Sequence, residues 1–235
     1  MKKKLIILTG PTAVGKTDLS IRLARTVGGE IISADSMQVY RRMDIGTAKI
    51  RPEEMDGVRH HLIDILEPTE SFNAFLFKEY ALKAANEIWE RGSIPIIVGG
   101  TGFYIQTLLY DIEFAKSDEN DGIREELNKL YEEHGAAFLH DMLAKVDPEY
   151  AAEVHENNVK KVIRAIEFYR QTGHKLSEHN TEQRERTSPY NFEYFVLSDD
   201  RAVLYERIDK RIDKMVEAGL IAEVQALLDE GVDRE

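Results

Sequence analysis

The segment LTGPTAVGKTDLS, Leu8 to Ser20, sets Gly10, Gly15, Lys16 and Thr17 in the spacing G-x-x-x-x-G-K-[ST]. This pattern needs a strand before it and a helix after it, so that the backbone N–H groups in between converge on a chain of phosphates. Gly10, Pro11, Thr12, Ala13, Val14, Gly15, Lys16 and Thr17 are therefore the expected diphosphate- or nucleotide-binding residues. Lys16 adds positive charge, and the Thr17 hydroxyl is the expected magnesium ligand. Both flanks comply. Leu5–Leu8 is an apolar run, and TDLSIRLARTVGG predicts a helix with Leu19, Leu23 and Val27 along one side, stopped at Gly28–Gly29. Most such loops hold ATP or GTP, and this stretch alone leaves open whose phosphates these are.

Glu30–Ser33, Ile94–Val98 and Phe192–Leu197 read as further buried strands, with HHLIDIL (His60–Leu66) as a fifth candidate. Helix-length segments between them predict an α/β fold, a mainly parallel sheet with helices on both faces. Residues 112–187 differ: dense charge, helical periodicity and a single proline, Pro148, predict a mainly helical insertion. The catalytic core is then 1–111 with 188–235. In its last part Ser198–Asp200 are capping types, Leu204, Ile208 and Met215 form a stripe, Gly219 is a stop, and a second helix follows.

Composition narrows the partners. No cysteine is present, so disulfides and thiolate metal sites are excluded. No stretch approaches the roughly 20 apolar residues that span a bilayer. A soluble, cytoplasmic protein without a membrane partner is expected. With 43 acidic against 31 basic residues the net charge is −12, so any contact with nucleic acid needs a local basic stripe.

Ligands of open parallel sheets bind beyond the carboxyl ends of the strands. The phosphate loop, ADSMQVY (Ala34–Tyr40) and GGTGFY (Gly99–Tyr104) all fall at such exits. Taken singly, Asp35 and Thr101 could be helix caps. IPIIVGG ends in glycine where a nucleotide hydrolase or kinase usually has a magnesium-holding aspartate, which speaks against ordinary ATP chemistry. His60 and His61 are adjacent and face opposite ways on a strand, so no histidine metal site is expected. In NNVKKVIRAIEFYRQTG, Val159, Val162, Ile163 and Ile166 bury one helix face, while Lys160, Lys161 and Arg164 share the other, as an RNA surface or a solvated face. Arg207, Arg211 and Lys214 line one side of the late helix, at the surface or reaching toward the phosphates.

GPTAVGKT, SADSMQVYRRMDIGTAK, HHLIDILEP, PIIVGGTGFY, NVKKVIRAIE and RIDKRIDKMVEAGLIAEV occur in the order seen in the bacterial tRNA dimethylallyltransferases, and the chain resembles that family from about residue 4 to residue 231. The resemblance implies a P-loop NTPase-like fold whose loop holds dimethylallyl diphosphate with magnesium, consuming no nucleotide triphosphate. It implies prenyl transfer to the exocyclic amine of the adenosine 3′ of the anticodon, in tRNAs reading codons that begin with U. Asp35 would be the base, with Thr101 and Arg211 at the diphosphate and reacting region. Asp35, Ser36, Met37, Gln38 and Thr101 would contact the flipped adenine, and Lys160, Lys161, Val162, Ile163 and Arg164 the anticodon loop of a tRNA bound to a monomer. Family members continue into helices bearing a Gln-Ala-Ile-Gly-Tyr-Lys-like motif, a segment the resemblance implies is lacking here. Alternatives are an adenylate isopentenyltransferase, a P-loop kinase of a small metabolite, and a non-enzymatic RNA-binding protein.

Overall fold

The structure, a computed structural model, describes residues 2–114 and 122–232. It divides into two compact units, residues 1–111 with 188–235 and residues 112–187. In the first unit, β1 (Lys4–Thr9), β2 (Gly29–Ser33), β3 (His60–His61), β4 (Ile94–Gly99) and β5 (Asn191–Val196) form one sheet in the order β3-β2-β4-β1-β5. Every pairing is parallel. The fifth candidate strand is real but short, since His60–His61 alone pair with β2 and the chain then turns at Leu62 with φ 63°.

The alternation of side chains along each strand splits the apolar residues between two faces. Leu5, Ile7, Ile32 and Ile97 pack with Phe77, Ala81 and Ile88 of α2 (Ala74–Glu90) and Ile105 and Leu108 of α3 (Gly102–Leu109). Ile31 and Ile96 point the other way, onto Ile21 and Ala24 of α1 (Lys16–Val27). Each fully buried side chain of this kind contributes about 1.5–3 kcal/mol. On α1 the buried line is thus Ser20, Ile21 and Ala24, and the expected stripe of Leu19, Leu23 and Val27 is half-buried at its margin. The sheet reaches α1 through the small Ala24, which lets the helix approach closely.

After β5 come α9 (Arg201–Glu217) and α10 (Leu220–Asp229). The stripe on α9 is half-buried at Leu204, Ile208 and Met215, and α9 has no fully buried residue among those described. The second unit comprises α4 (Ile123–His134), α5 (Ala136–Val146), α6 (Pro148–Glu153), α7 (Val159–Thr172) and α8 (Leu176–Glu185). Leu127, Leu139, Leu143, Val162 and Ile166 are its centre. Asp147 caps α6 through the Tyr150 N–H at 3.1 Å and holds Ser177 through its N–H at 2.9 Å and its hydroxyl at 2.7 Å. Burial pushes the Asp147 carboxyl up, but these hydrogen bonds outweigh it and leave it below the ordinary value.

Candidate active site

The phosphate loop is shaped by its backbone. Gly10 at φ 148°, Ala13 at φ 64° and Gly15 at φ 92° supply the left-handed turns that curl successive N–H groups around an anion. Gly10 has a second constraint, since a Cβ there would lie 2.5 Å from the Leu197 carbonyl oxygen. Gly15 ends the loop as the N-cap of α1, so Lys16 and Thr17 open the helix at its positive end. Lys16 Nζ donates to the Gly10 and Pro11 carbonyls at 2.8 Å each, which folds the ammonium back over the loop. Arg207 of α9 reaches the same loop from outside, 3.5 Å from the Ala13 carbonyl, while paired to Asp199 at 2.9 Å.

At the neighbouring exits β2 and β4 come into backbone contact. A Cβ on Gly99 would lie 2.1 Å from the Ala34 carbonyl oxygen, so no other residue fits without moving a strand. The Ala34 N–H donates to Val98 at 2.8 Å and the Thr101 N–H to Ala34 at 3.3 Å, tying the two polar exits together. Thr101 occupies the N-cap position of α3, yet its hydroxyl makes no capping bond. Asp35 caps no helix. Its Oδ1 accepts from the Met37 N–H at 2.9 Å and the Gln38 N–H at 3.3 Å, which closes a turn and fixes the carboxylate.

A cavity of about 70 Å³ joins these parts, lined by Lys16, Thr17, Ser33, Asp35, Gln38, His60 and Gly99 with Ile50, Ile63 and Val98 as an apolar wall. Burial lowers the Lys16 pKa from 10.5, the Asp35 charge works against this, and Arg211 adds to it. Three charges from three distant stretches of chain thus act on one another. Burial also pushes the Tyr104 hydroxyl up, with Tyr40 and the Asp35 carboxylate adding to it.

Arg211 lies between Arg207 and Lys214 on one side of α9, as their spacing predicts, but is the most sheltered of the three. It is half-buried on the face of α9 that carries Leu204, Ile208 and Met215, whereas Arg207 and Lys214 are exposed. Residues 204, 208, 211 and 215 share one helix face, so the apolar stripe carries the arginine inward. The sequence reading passed over His60 and Ser33. Burial lowers the His60 pKa and its Nδ1 bonds the Val58 carbonyl at 2.9 Å, which defines a neutral ring with Nε2 as an acceptor. HHLIDIL offered the one signal, as a polar pair opening a strand at the sheet edge.

The expected RNA contacts on α7 divide. Lys160 and Lys161 are exposed, and neither ammonium has a partner among the described residues. Val162 is 0% and Ile163 6% exposed, and both side chains belong to the core of the helical unit. Arg164 is paired to Glu167 at 3.3 Å, and Arg124 holds that buried carboxylate at 2.6 and 3.0 Å. The Arg164 side chain is still 38% exposed. Of the residues expected to contact the adenine, Ser36 and Gln38 are half-buried and Met37 is exposed.

Among the described residues no group of three or more His, Asp or Glu side chains is placed to hold a metal. Of the side-chain oxygens at the cavity, the Ser20 and Ser33 hydroxyls and Gln38 Oε1 are engaged within the fold, the Thr17 hydroxyl makes no hydrogen bond among the described residues, and the Asp35 carboxylate is the one anionic group. Such a sparse, hard donor set fits magnesium, which is held by few protein oxygens together with phosphate and water. No described helix is long and apolar enough to cross a membrane.

A sequence model described as IPP transferase matches residues 38–235. The chain is 58% identical to a tRNA dimethylallyltransferase of Lachnoclostridium phytofermentans and 49% identical to one of Carboxydothermus hydrogenoformans, covering 98% of this chain and 74% of each relative. The full-length tRNA isopentenylpyrophosphate transferase of Bacillus halodurans superposes with a TM-score of 0.69 at 47% identity, over 99% of this chain and 72% of that one. A eukaryotic dimethylallyltransferase solved acting on tRNA gives 0.87 at 35% identity, over 97% and 56%. With the phosphate loop and the Asp35 turn meeting at one cavity, and with relatives this similar along nearly its whole length, the chain belongs to the IPP transferase family.

Proposed function

We propose that this protein is a tRNA dimethylallyltransferase that moves the dimethylallyl group of dimethylallyl diphosphate onto the exocyclic amine of the adenosine 3′ of the anticodon, in tRNAs reading U-starting codons, and releases diphosphate. The observation that carries this reading is the cavity in which Lys16 and Thr17 meet Asp35 and Gln38 beside an apolar wall. A phosphate cradle, a carboxylate and room for a hydrocarbon are what prenyl transfer needs. The working unit is a monomer with tRNA as its partner, in the cytoplasm.

The allylic carbon–oxygen bond breaks and its electron pair leaves with the diphosphate. The loop N–H groups, Lys16 and Arg211 are preorganised to stabilise that charge, at no reorganisation cost during the step. Thr17 would hold Mg²⁺, which when bound neutralises phosphate charge. The adenine amine attacks the cation-like carbon, and the alkylated nitrogen then becomes acidic. Asp35 takes its proton, in a geometry fixed by the Met37 and Gln38 N–H groups on Oδ1. The turn Ser36–Gln38 and Thr101 hold the adenine, which an RNA-modifying enzyme must take out of its stack. Lys160 and Lys161 hold the anticodon stem-loop by its backbone.

The deciding experiment incubates the protein with labelled dimethylallyl diphosphate and, separately, tRNA, AMP, or ATP with metabolites. Label on tRNA at the adenosine 3′ of the anticodon is the expected result. Label on AMP assigns an adenylate isopentenyltransferase. ATP turnover without tRNA assigns a kinase.

A further inference from the structure

We propose that Glu223 of α10 is a positioning residue for the acceptor adenine, acting through the loop that follows β2. Its carboxylate accepts three successive backbone N–H groups: Asp44 at 2.8 Å and Ile45 at 2.7 Å on Oε2, and Gly46 at 2.9 Å on Oε1. Charge-assisted bonds of this kind are roughly twice as strong as neutral ones, and three on one carboxylate fix a loop in position and orientation. The loop has no regular secondary structure of its own between Ala34 and Lys49 apart from a single bridge at Tyr40, so its shape must come from such contacts.

The clamp leads directly to the acceptor turn. Thr47, the residue after the clamped three, accepts the Gln38 amide at 3.3 Å through its carbonyl, while Gln38 Oε1 accepts the Ser33 hydroxyl at 3.3 Å. Gln38 and Asp35 close the same turn. Lys49, whose side chain is 4% exposed, seals the far side by donating to the Tyr40 carbonyl at 2.7 Å, Asp44 at 2.6 Å and Asp64 at 2.5 Å. Arg42 adds a second tie to α10 through Glu230 at 2.8 Å. The α9–α10 hairpin therefore serves the site twice, with Arg211 on the donor side and Glu223 on the acceptor side.

This role rests on the proposed transfer to tRNA, so the test has an arm that does not. Amide hydrogen exchange is followed in the whole protein for E223Q, which keeps the shape and loses the charge, and for Gly46→Ala. A Cβ on Gly46 would lie 3.1 Å from Leu220 Cδ1 and 3.5 Å from Glu223 Oε1, so the second variant loosens the same contact from the loop side. Exchange at Asp44, Ile45 and Gly46 should speed up about tenfold or more in E223Q, and by less in Gly46→Ala, with α1 and the sheet unchanged. In the transfer assay E223Q should lower kcat/KM for tRNA by about tenfold to a hundredfold. Its affinity for dimethylallyl diphosphate without tRNA should stay within about twofold. Unchanged exchange overturns the clamp. Faster exchange with unaltered tRNA kcat/KM, or donor affinity falling in step with it, overturns the positioning role. A parent protein that transfers nothing to tRNA refutes the activity and this role together, while the exchange arm still reports whether the clamp exists.

Discussion

Two sets of lysines in this chain are built in opposite ways. Lys16 is half-buried, folded onto two carbonyls and electrically coupled to Asp35 and Arg211. Lys160 and Lys161 stand in solvent without a partner among the described residues, on a helix whose other face is buried. The first arrangement spends desolvation to make one charge act strongly at one point, as a reacting centre requires. The second keeps its charge cheap, long-ranged and sensitive to salt, as docking to a phosphate backbone requires. On a chain of net charge −12, the difference lies in where positive charge is held.

The sharpest attack on the buried set is Asp35→Asn, which keeps the turn and cannot take the proton. Losing a general base costs about 10²–10⁴ in rate, or roughly 3–5 kcal/mol of barrier. Single-turnover transfer should fall by that order while tRNA affinity stays nearly constant. A variant within a few-fold of the parent would reduce Asp35 to the turn-closing role that its Oδ1 bonds already show. Lys16→Ala comes next. Loss of one preorganised charge-stabilising group costs about 10²–10³ in rate, and affinity for dimethylallyl diphosphate should fall with it. Retained donor binding in that variant would erase the contrast between the two lysine sets.

A pH series separates the three coupled charges without removing the lysine. The useful form of Lys16 is protonated, and its pKa lies below 10.5 because burial lowers it and Arg211 adds to that. Donor affinity should therefore fall as pH rises through the lowered value. Arg211→Ala removes one lowering influence, so the fall should move to higher pH. Asp35→Asn removes the influence that raises the pKa, so the fall should move to lower pH. A midpoint that ignores both substitutions would mean that the charges do not act on one another. Donor affinity measured without tRNA across the alkaline range reads all three proteins.

What could be read from the sequence follows the reach of each interaction. The phosphate loop was legible because glycine spacing and the flanking strand and helix lie within about twenty residues. The parallel sheet was legible because short apolar runs alternate with helix-length segments, though the order β3-β2-β4-β1-β5 was not. Asp35 could be placed at a strand exit, but its turn, with no helix to cap, needed the backbone. The shared side of Arg207, Arg211 and Lys214 on α9 was legible from their spacing, but that Arg211 alone of the three is half-buried, next to Leu204, Ile208 and Met215, needed the fold. Glu223 gave no local sign at all, since its partners lie 177 to 179 residues away. The core role of Val162 and Ile163 was legible from their helical spacing.

The smallest effect tests the solvated set. Arg164 is set apart by its bond to Glu167, whereas Lys160 and Lys161 are exposed and have no partner among the described residues. Replacing both by alanine should remove about two phosphate contacts and flatten the slope of log affinity against log salt by roughly 1.4–1.8. The change should be alike for different tRNA sequences, because backbone contacts position an RNA without reading its bases. Affinity for dimethylallyl diphosphate should be unaffected. Arg164→Ala offers the contrasting control: it leaves the buried Glu167 with Arg124 alone, so it should lower the thermal midpoint and barely alter the salt slope. Measuring tRNA affinity at several salt concentrations for parent, double variant and control decides the matter. A slope that moves with Arg164 and ignores the two lysines would reverse the assignment, making the paired arginine the RNA contact and the lysines a solvated face.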